Sequence, residues 1–424
     1  MHLATLLFLP LVLSIIRQQP KHSADPTQVE SEKLKRNFEK TRIPGKKMHP
    51  SQGELLMEGD ELLTKEDIED MKANGGRRRR QVAYDRRWEP EGAPVVPYVI
   101  SPALPNKTVA MLKKTFAFWE ANSCLTFKPR ENEEKYLNVV RGDSCSANVG
   151  AYSPTTFNLG EGCDSENIVS HECMHALGVY HTQDRADRDY YLYIDESNID
   201  PKYPHIYDIP SDSMVIYVPY EYGSLMHYSQ TGFAKDFSKP VLYAKKPEYQ
   251  NSMCSADVTF YDVRHMNYVY CNDNCWPAKI QCENAGYPNP SDCSKCICPK
   301  GYAGRYCEKF DESAIVINNQ NGLFNFDYEF KDDGFLDTQL YRVVAPEGKH
   351  IKLEMITVNT QYSECVSAGV EVFADQYDTR FAGVRFCNSA VKQPTLVSKG
   401  NIMFIYKYRV YGDIHAVFNI TTVV

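Results

Sequence analysis

No cysteine precedes Cys124, although the chain of 424 residues holds 14 of them. Whatever the cysteines staple therefore lies beyond the first quarter of the chain. Positive charge is not in excess: the formal net charge is -8, and the one strongly basic run, residues 77–80, is short and isolated. That sets aside a nucleic-acid binder. After residue 16 no apolar run is long enough to cross a bilayer, which argues against stable membrane insertion. There is no internal repeat and no long low-complexity segment, which sets aside repeat architectures. The rest of the composition, 43% hydrophobic and 24% charged, is that of a folded protein. The length exceeds one average domain and points to two to four.

The opening stretch MHLATLLFLPLVLSII has the length of a secretory signal, although only His2 stands where a basic region is usual. It is read as a signal peptide, 1–16, whose end could extend to residue 24. An export signal and an even cysteine count together imply disulfides and an extracellular protein. Sequons at Asn106 and Asn419 are compatible with glycosylation. Residues 25–80 are polar and lack Cys and Trp, and they end in Gly-Gly-Arg-Arg-Arg-Arg. Four arginines in a Gly-preceded loop suit a processing protease with an acidic cleft. The expectation is a propeptide cut after Arg80, leaving Gln81 at the new N-terminus.

From residue 82 the composition becomes globular. The pattern predicts a strand over 94–101, a helix over 106–122 with Val109, Leu112, Phe116 and Trp119 on one face, a strand over 136–141, and a helix through 165–177. The last carries His171-Glu-Cys-Met-His175-Ala-Leu-Gly178-Val-Tyr-His181. On a helix, i and i+4 share a face, so His171 and His175 can present imidazoles to one metal ion. Glu172 lies about 100° further round and can serve as general base toward water without being a ligand. Gly178 lets the backbone leave the helix sharply, and the returning chain brings His181 as a third nitrogen. Three nitrogens leave zinc an open position, as catalysis requires. By chance, roughly one chain in a hundred of this length would hold a bare HExxH, and the added Gly178 and His181 cut that about five-hundredfold. Downstream, Ser224-Leu-Met226-His227-Tyr228 stands where a Met-turn would put Met226 beneath the ligands. Tyr228 can approach the metal or donate to an oxyanion, while His227 reads as structural.

These motifs, with Arg185-Ala-Asp187-Arg188-Asp189-Tyr-Tyr between them, resemble the astacin family of metzincin zinc metalloproteases across about 81–271. The resemblance implies an α+β, two-lobed zincin fold with the cleft between the lobes, zinc as cofactor and endopeptidase action on polypeptides, with extracellular or matrix proteins as the expected substrates. It implies that Tyr228 belongs to the catalytic set, and that Cys124 pairs with Cys271 and Cys145 with Cys163. It also implies that Asp60, in Met57-Glu-Gly-Asp60, faces the metal in the proenzyme. One position departs from the family: Thr182 follows the third histidine where a glutamate usually helps to bind the mature N-terminus.

Six cysteines crowd into 275–307, too dense for a hydrophobic-core domain. They resemble an epidermal-growth-factor-like module, 272–308, whose implied pairing is Cys275–Cys293, Cys282–Cys296 and Cys298–Cys307. Alternating apolar runs from residue 309 to 424 suggest an all-β unit that resembles a divergent CUB-type sandwich with one pair, Cys365–Cys387. The order of units is similar to that of nematode astacins. Cys173 and Cys254 remain, expected either to bridge or to stay as two thiols. The expectation is thus a secreted zinc metalloendopeptidase made as a proenzyme. The alternative is a catalytically inactive extracellular binding or adhesion protein that kept the fold.

Overall fold

The computed structural model describes residues 55–57, 60–64, 86–88, 94–208, 217–277, 279–318, 321–360, 364–388 and 394–424. The apolar leader, most of 25–80, Arg80 and Gln81 lie outside the described residues.

The first part of the described chain is built on one sheet. Its strands are β1 (Leu55–Met57), β2 (Glu61–Leu63), β3 (Val95–Ile100), β4 (Thr126–Pro129), β5 (Leu137–Val140), β6 (Cys145–Asn148) and β7 (Thr155–Leu159). They run in the order β1-β2-β6-β7-β5-β3-β4. β3, β4, β5 and β7 are mutually parallel and β6 is antiparallel to β7. Beyond β6 the sheet is completed by β2, which pairs parallel to it, Glu61 opposite Ala147.

Helix α1 (Asn106–Asn122) lies on this sheet, with Phe116 stacked on Phe127 of β4 at 4.1 Å between centroids. The buried stripe is Thr108, Met111, Leu112, Thr115, Phe116 and Trp119, so Val109 is only half-buried and the stripe departs from the expected one. The reason is polar: Thr115 meets Ser170 at 3.1 Å and Thr108 donates to Asp164 at 2.5 Å, which makes threonine a better neighbour there than valine. Helix α2 (Glu166–Ala176) carries the HExxH motif and packs over β6 and β7.

Below it, β8 (Leu192–Ile194) and β9 (Leu242–Ala244) form a short ribbon in a tyrosine-rich core where Tyr191 stacks on Tyr220. Helix α3 (Phe260–Tyr270) starts in a capping box made by Thr259 and Asp262. Its end is tied by Cys124–Cys271 to the turn after α1, a closure of 147 residues.

Residues 275–310 form two small hairpins stapled by Cys275–Cys293, Cys282–Cys296 and Cys298–Cys307. The C-terminal region is a sandwich of two five-stranded sheets over a core that includes Phe386, Met403, Ile405 and Phe418. The bond Cys365–Cys387 lies in it, and Cys145–Cys163 fastens the start of β6 in the first sheet.

Cys173 and Cys254 are free thiols, which corrects the tentative bridge. Cys173 is fully buried in the core shared by α1, α2 and the first sheet. Cys254 lies at a different seam, where its carbonyl accepts from Arg385 of the sandwich. Burial raises both thiol pKa values, that of Cys254 to about 11, so neither is a ready thiolate. No helix among the described residues is long and apolar enough to cross a membrane.

Candidate metal centre

The helix that supplies two of the histidines ends where glycine allows it to. Gly178 has φ +95°, and its N–H donates back to the His175 carbonyl at 2.7 Å. The chain then doubles back to deliver His181. His171 and His175 are oriented from behind: their Nδ1 atoms lie 2.8 Å from the carbonyls of Leu225 and Val179. A carbonyl only accepts, so Nδ1 carries the proton and the Nε2 lone pair faces forward.

The forward-facing nitrogens converge. His175 and His181 approach to 3.2 Å between Nε2 atoms, and His171 Nε2 is buried without a hydrogen-bond partner among the described residues. In their midst stands the Asp60 carboxylate, 3.4 Å from His171, 3.8 Å from His175 and 3.3 Å from His181. The ligand atoms of all four residues lie within 4.8 Å of one another. Three imidazole nitrogens and a carboxylate crowded to within 4.8 Å of one another fit a divalent cation of zinc's preferences. Burial pushes the Asp60 carboxyl up, and positive charge at the histidines, His181 first, outweighs it and lowers that carboxyl well below the usual range; a cation held in their midst would act in the same direction. Burial lowers the His175 pKa, and the neighbouring imidazoles lower it further, so that ring stays neutral, the form that ligates.

Glu172 is 2% exposed and its Oε2 has no hydrogen-bond partner among the described residues. Burial raises its pKa well above the ordinary value, and the Asp60 charge adds to the rise. Met226 is buried in the core below the histidines, and its carbonyl accepts from the Thr182 N–H at 2.8 Å. The Tyr228 ring lies beside His181, tilted by 52° at 4.5 Å between ring centroids, and its N–H donates to Gln183. His227 bonds Tyr220 through Nε2 and the Tyr228 carbonyl through Nδ1, so neither nitrogen faces the centre.

Several participants escaped the sequence reading. Glu61 is fully buried with Oε1 3.4 Å from His181 Nδ1, and Asp184 approaches the same nitrogen at 3.9 Å. Two adjacent residues, Asp60 and Glu61, thus flank both nitrogens of His181. Asp262 accepts from Ser224 Oγ at 2.6 Å and from the Leu225 N–H at 3.0 Å, fixing the turn whose carbonyl holds His171. Glu61 is adjacent to Asp60 and Asp184 stands three residues after His181, but neither spacing by itself says that the carboxylate meets an imidazole nitrogen. Asn106 is exposed at the start of α1, and Asn419 lies half-buried on a strand of the sandwich.

The family model described as Astacin, a peptidase family, matches residues 81–271. Zinc metalloproteinase nas-31 of Caenorhabditis elegans is 32% identical over 389 residues, covering 86% of this chain and 63% of that protein. Zinc metalloproteinase nas-23 of the same organism is 32% identical over 380 residues, covering 84% of this chain and 69% of that protein. The chain therefore spans less than two thirds of the first relative's length and slightly more of the second's. Among solved structures, high choriolytic enzyme 1, a hatching-enzyme zinc-protease of the medaka fish Oryzias latipes, is 26% identical, covers 44% of this chain and 96% of its own, and has a TM-score of 0.42. With three histidines drawn to one point beside a buried glutamate, and with these relatives matched along most of its length, the chain belongs to the astacin family.

Proposed function

We propose that this protein is a secreted zinc endopeptidase, synthesised as a proenzyme that residues 25–80 keep silent. The observation that carries the reading is the set of three histidines whose Nε2 atoms close on one point beside the buried carboxylate of Glu172, two of them fixed from behind by backbone carbonyls. An open binding or structural zinc site has no need of that carboxylate.

His171, His175 and His181 would hold zinc, which when bound would supply a Lewis acid that lowers the pKa of water toward 7. Glu172 takes the proton of the attacking water as general base and returns it to the leaving amine. Tyr228 donates to the oxyanion that forms on the scissile carbonyl. Met226 is the apolar floor. The peptide lies extended along β6, whose outer edge β2 occupies in the proenzyme; an exposed strand edge offers the N–H and C=O groups that a substrate backbone needs. Asp60 blocks the metal from the same hairpin, and cleavage after Arg80 by a processing protease releases both. In this reading 81–271 is the protease unit, 272–308 an epidermal-growth-factor-like module and 309–424 a CUB-like sandwich, and Asn106 and Asn419 carry glycans.

The test is cleavage of a mixed peptide library by the secreted protein processed after Arg80. Removing the metal with a strong chelator should abolish cleavage, and one equivalent of zinc per chain should restore it. Bound zinc with no cleavage of any peptide would favour the inactive binding protein instead. Tyr228→Phe should retain one zinc, because the ring keeps its place beside His181. Its kcat should fall about tenfold to a hundredfold with KM within about twofold, as expected for loss of one oxyanion donor. An unchanged kcat would remove Tyr228 from the catalytic set.

A further inference from the structure

We propose that the C-terminal sandwich is a positioning element of the active site, gripping α2 and the Met-turn at once. The first grip is on the start of α2. The N–H of Glu166, a first-turn amide that a helix cannot satisfy internally, donates to the carbonyl of Gly334 at 2.8 Å. The Glu166 carboxylate accepts from the Leu336 N–H at 3.1 Å, and the Tyr411 hydroxyl donates to the Asp164 carbonyl at 2.9 Å. Gly334 has φ +71°, and a Cβ there would stand 2.4 Å from the Asp164 carbonyl oxygen, so the approach admits no side chain.

The second grip is on the loop before Met226. Glu221 is 4% exposed, and its two carboxylate oxygens accept from the N–H of Gly223 in its own loop at 2.9 Å and of Ala382 in the sandwich at 3.0 Å. A Cβ on Gly223 would meet that of Ala382 at 2.3 Å. Arg385, itself buried against Glu371, reinforces the seam by donating to the carbonyls of Ser252 and Cys254. A carboxylate and a guanidinium at such burial are stable only while these partners stay in place.

Both grips bear on one imidazole. His171 is carried by α2, and its Nδ1 is held by the Leu225 carbonyl of the Met-turn loop. The angle between helix and loop sets where His171 Nε2 points, and the sandwich spans that angle. Glu221 and Ala382 are therefore positioning residues that act through Leu225, and the sandwich belongs to the enzyme's working unit.

The test uses the full-length proenzyme and its processed form, with Ala382→Leu to wedge the second seam and Tyr411→Phe to remove one bond from the first. Hydrogen exchange is read on the proenzyme, with zinc content, and kcat and KM on the processed form. In Ala382→Leu the amides of Leu225 and Met226 should exchange at least about tenfold faster while those of α1 are unchanged. Zinc should stay at one per chain, and kcat should fall about tenfold with KM within about twofold, the pattern of misplaced groups rather than lost binding. Tyr411→Phe should speed exchange in the first turn of α2 and remains informative if the leucine variant does not fold; Ala382→Ser should restore wild-type values. Exchange and kcat within twofold of wild type in the folded variants would overturn the proposal. The kinetic arm rests on the peptidase reading and the exchange arm does not. Faster exchange in the variants of a wild type that cleaves nothing would uphold the positioning role and sink the peptidase.

Discussion

Replacing Glu172 by alanine should lower kcat/KM for peptide cleavage on the order of a hundredfold or more while leaving one zinc bound per chain. The two outcomes separate because Glu172 is not among the groups that hold the histidines. His171 and His175 are fixed by the backbone carbonyls of Leu225 and Val179, and neither contact involves the glutamate. What the variant loses is a buried carboxylate whose Oε2 is spoken for by no other described group. Burial and the Asp60 charge raise its pKa in the proenzyme. When Asp60 departs, its part of the rise goes with it and the part due to burial remains. Glu172→Gln should behave like the alanine variant, since it keeps the shape and loses the base. A rate above a tenth of wild type in either variant, measured beside zinc content, would mean that another group handles the proton.

The second large effect is expected in the proenzyme. With residues 77–80 changed so that they are not cut, the wild-type proenzyme should hydrolyse peptide at background. Adding Asp60→Ala should raise its rate at least about tenfold over that background and speed removal of zinc by a chelator. Asp60 is the anion on which three imidazoles converge, and its carboxyl is held far below the usual range. Removing it opens the position opposite the ligands. Activity should stay below that of the processed enzyme, because the strand itself is kept by other bonds. The Asp60 carbonyl accepts from the Ala147 N–H at 2.9 Å, and Asn148 donates to the Leu62 carbonyl at 2.9 Å. Those bonds still obstruct the edge. If chelation and hydrolysis are both unchanged, Asp60 is not the block, and Glu61 becomes the residue to replace.

The convergence of the three histidines was legible because it is local. Helical spacing places His171, Glu172 and His175, one glycine explains the turn to His181, and these span eleven consecutive positions. Asp60 was reachable only by resemblance, since nothing in a Met-Glu-Gly-Asp tetrapeptide dictates that it meets histidines more than a hundred residues on. The supports were not legible. Asp262 holds Leu225 across 37 positions, and Glu61 approaches His181 from a segment well over a hundred residues earlier. Such partners carry no periodic signal. The stripe of α1 departed from expectation because its threonines bond to α2 and the residues just before it, a fact of the neighbour rather than of the helix. Cysteine parity misled in one place: an even total is as compatible with two unrelated thiols as with a seventh bond. Alternation announced the strands of the C-terminal region, but their order across two sheets follows from long-range pairing that alternation does not encode.

The parallel pairing of β2 on β6 also bears on how the protein survives before it is needed. An uncovered sheet edge is a template on which any other extended chain, including a second copy, can add itself. Here β2 covers that edge, and among the described residues the rim it leaves is β1, three residues long. A strand so short gives a neighbouring molecule little to hold. If this hairpin is the removable propeptide we propose, it also keeps concentrated copies from sticking to one another, and that colloidal protection would end at the cut that frees the edge.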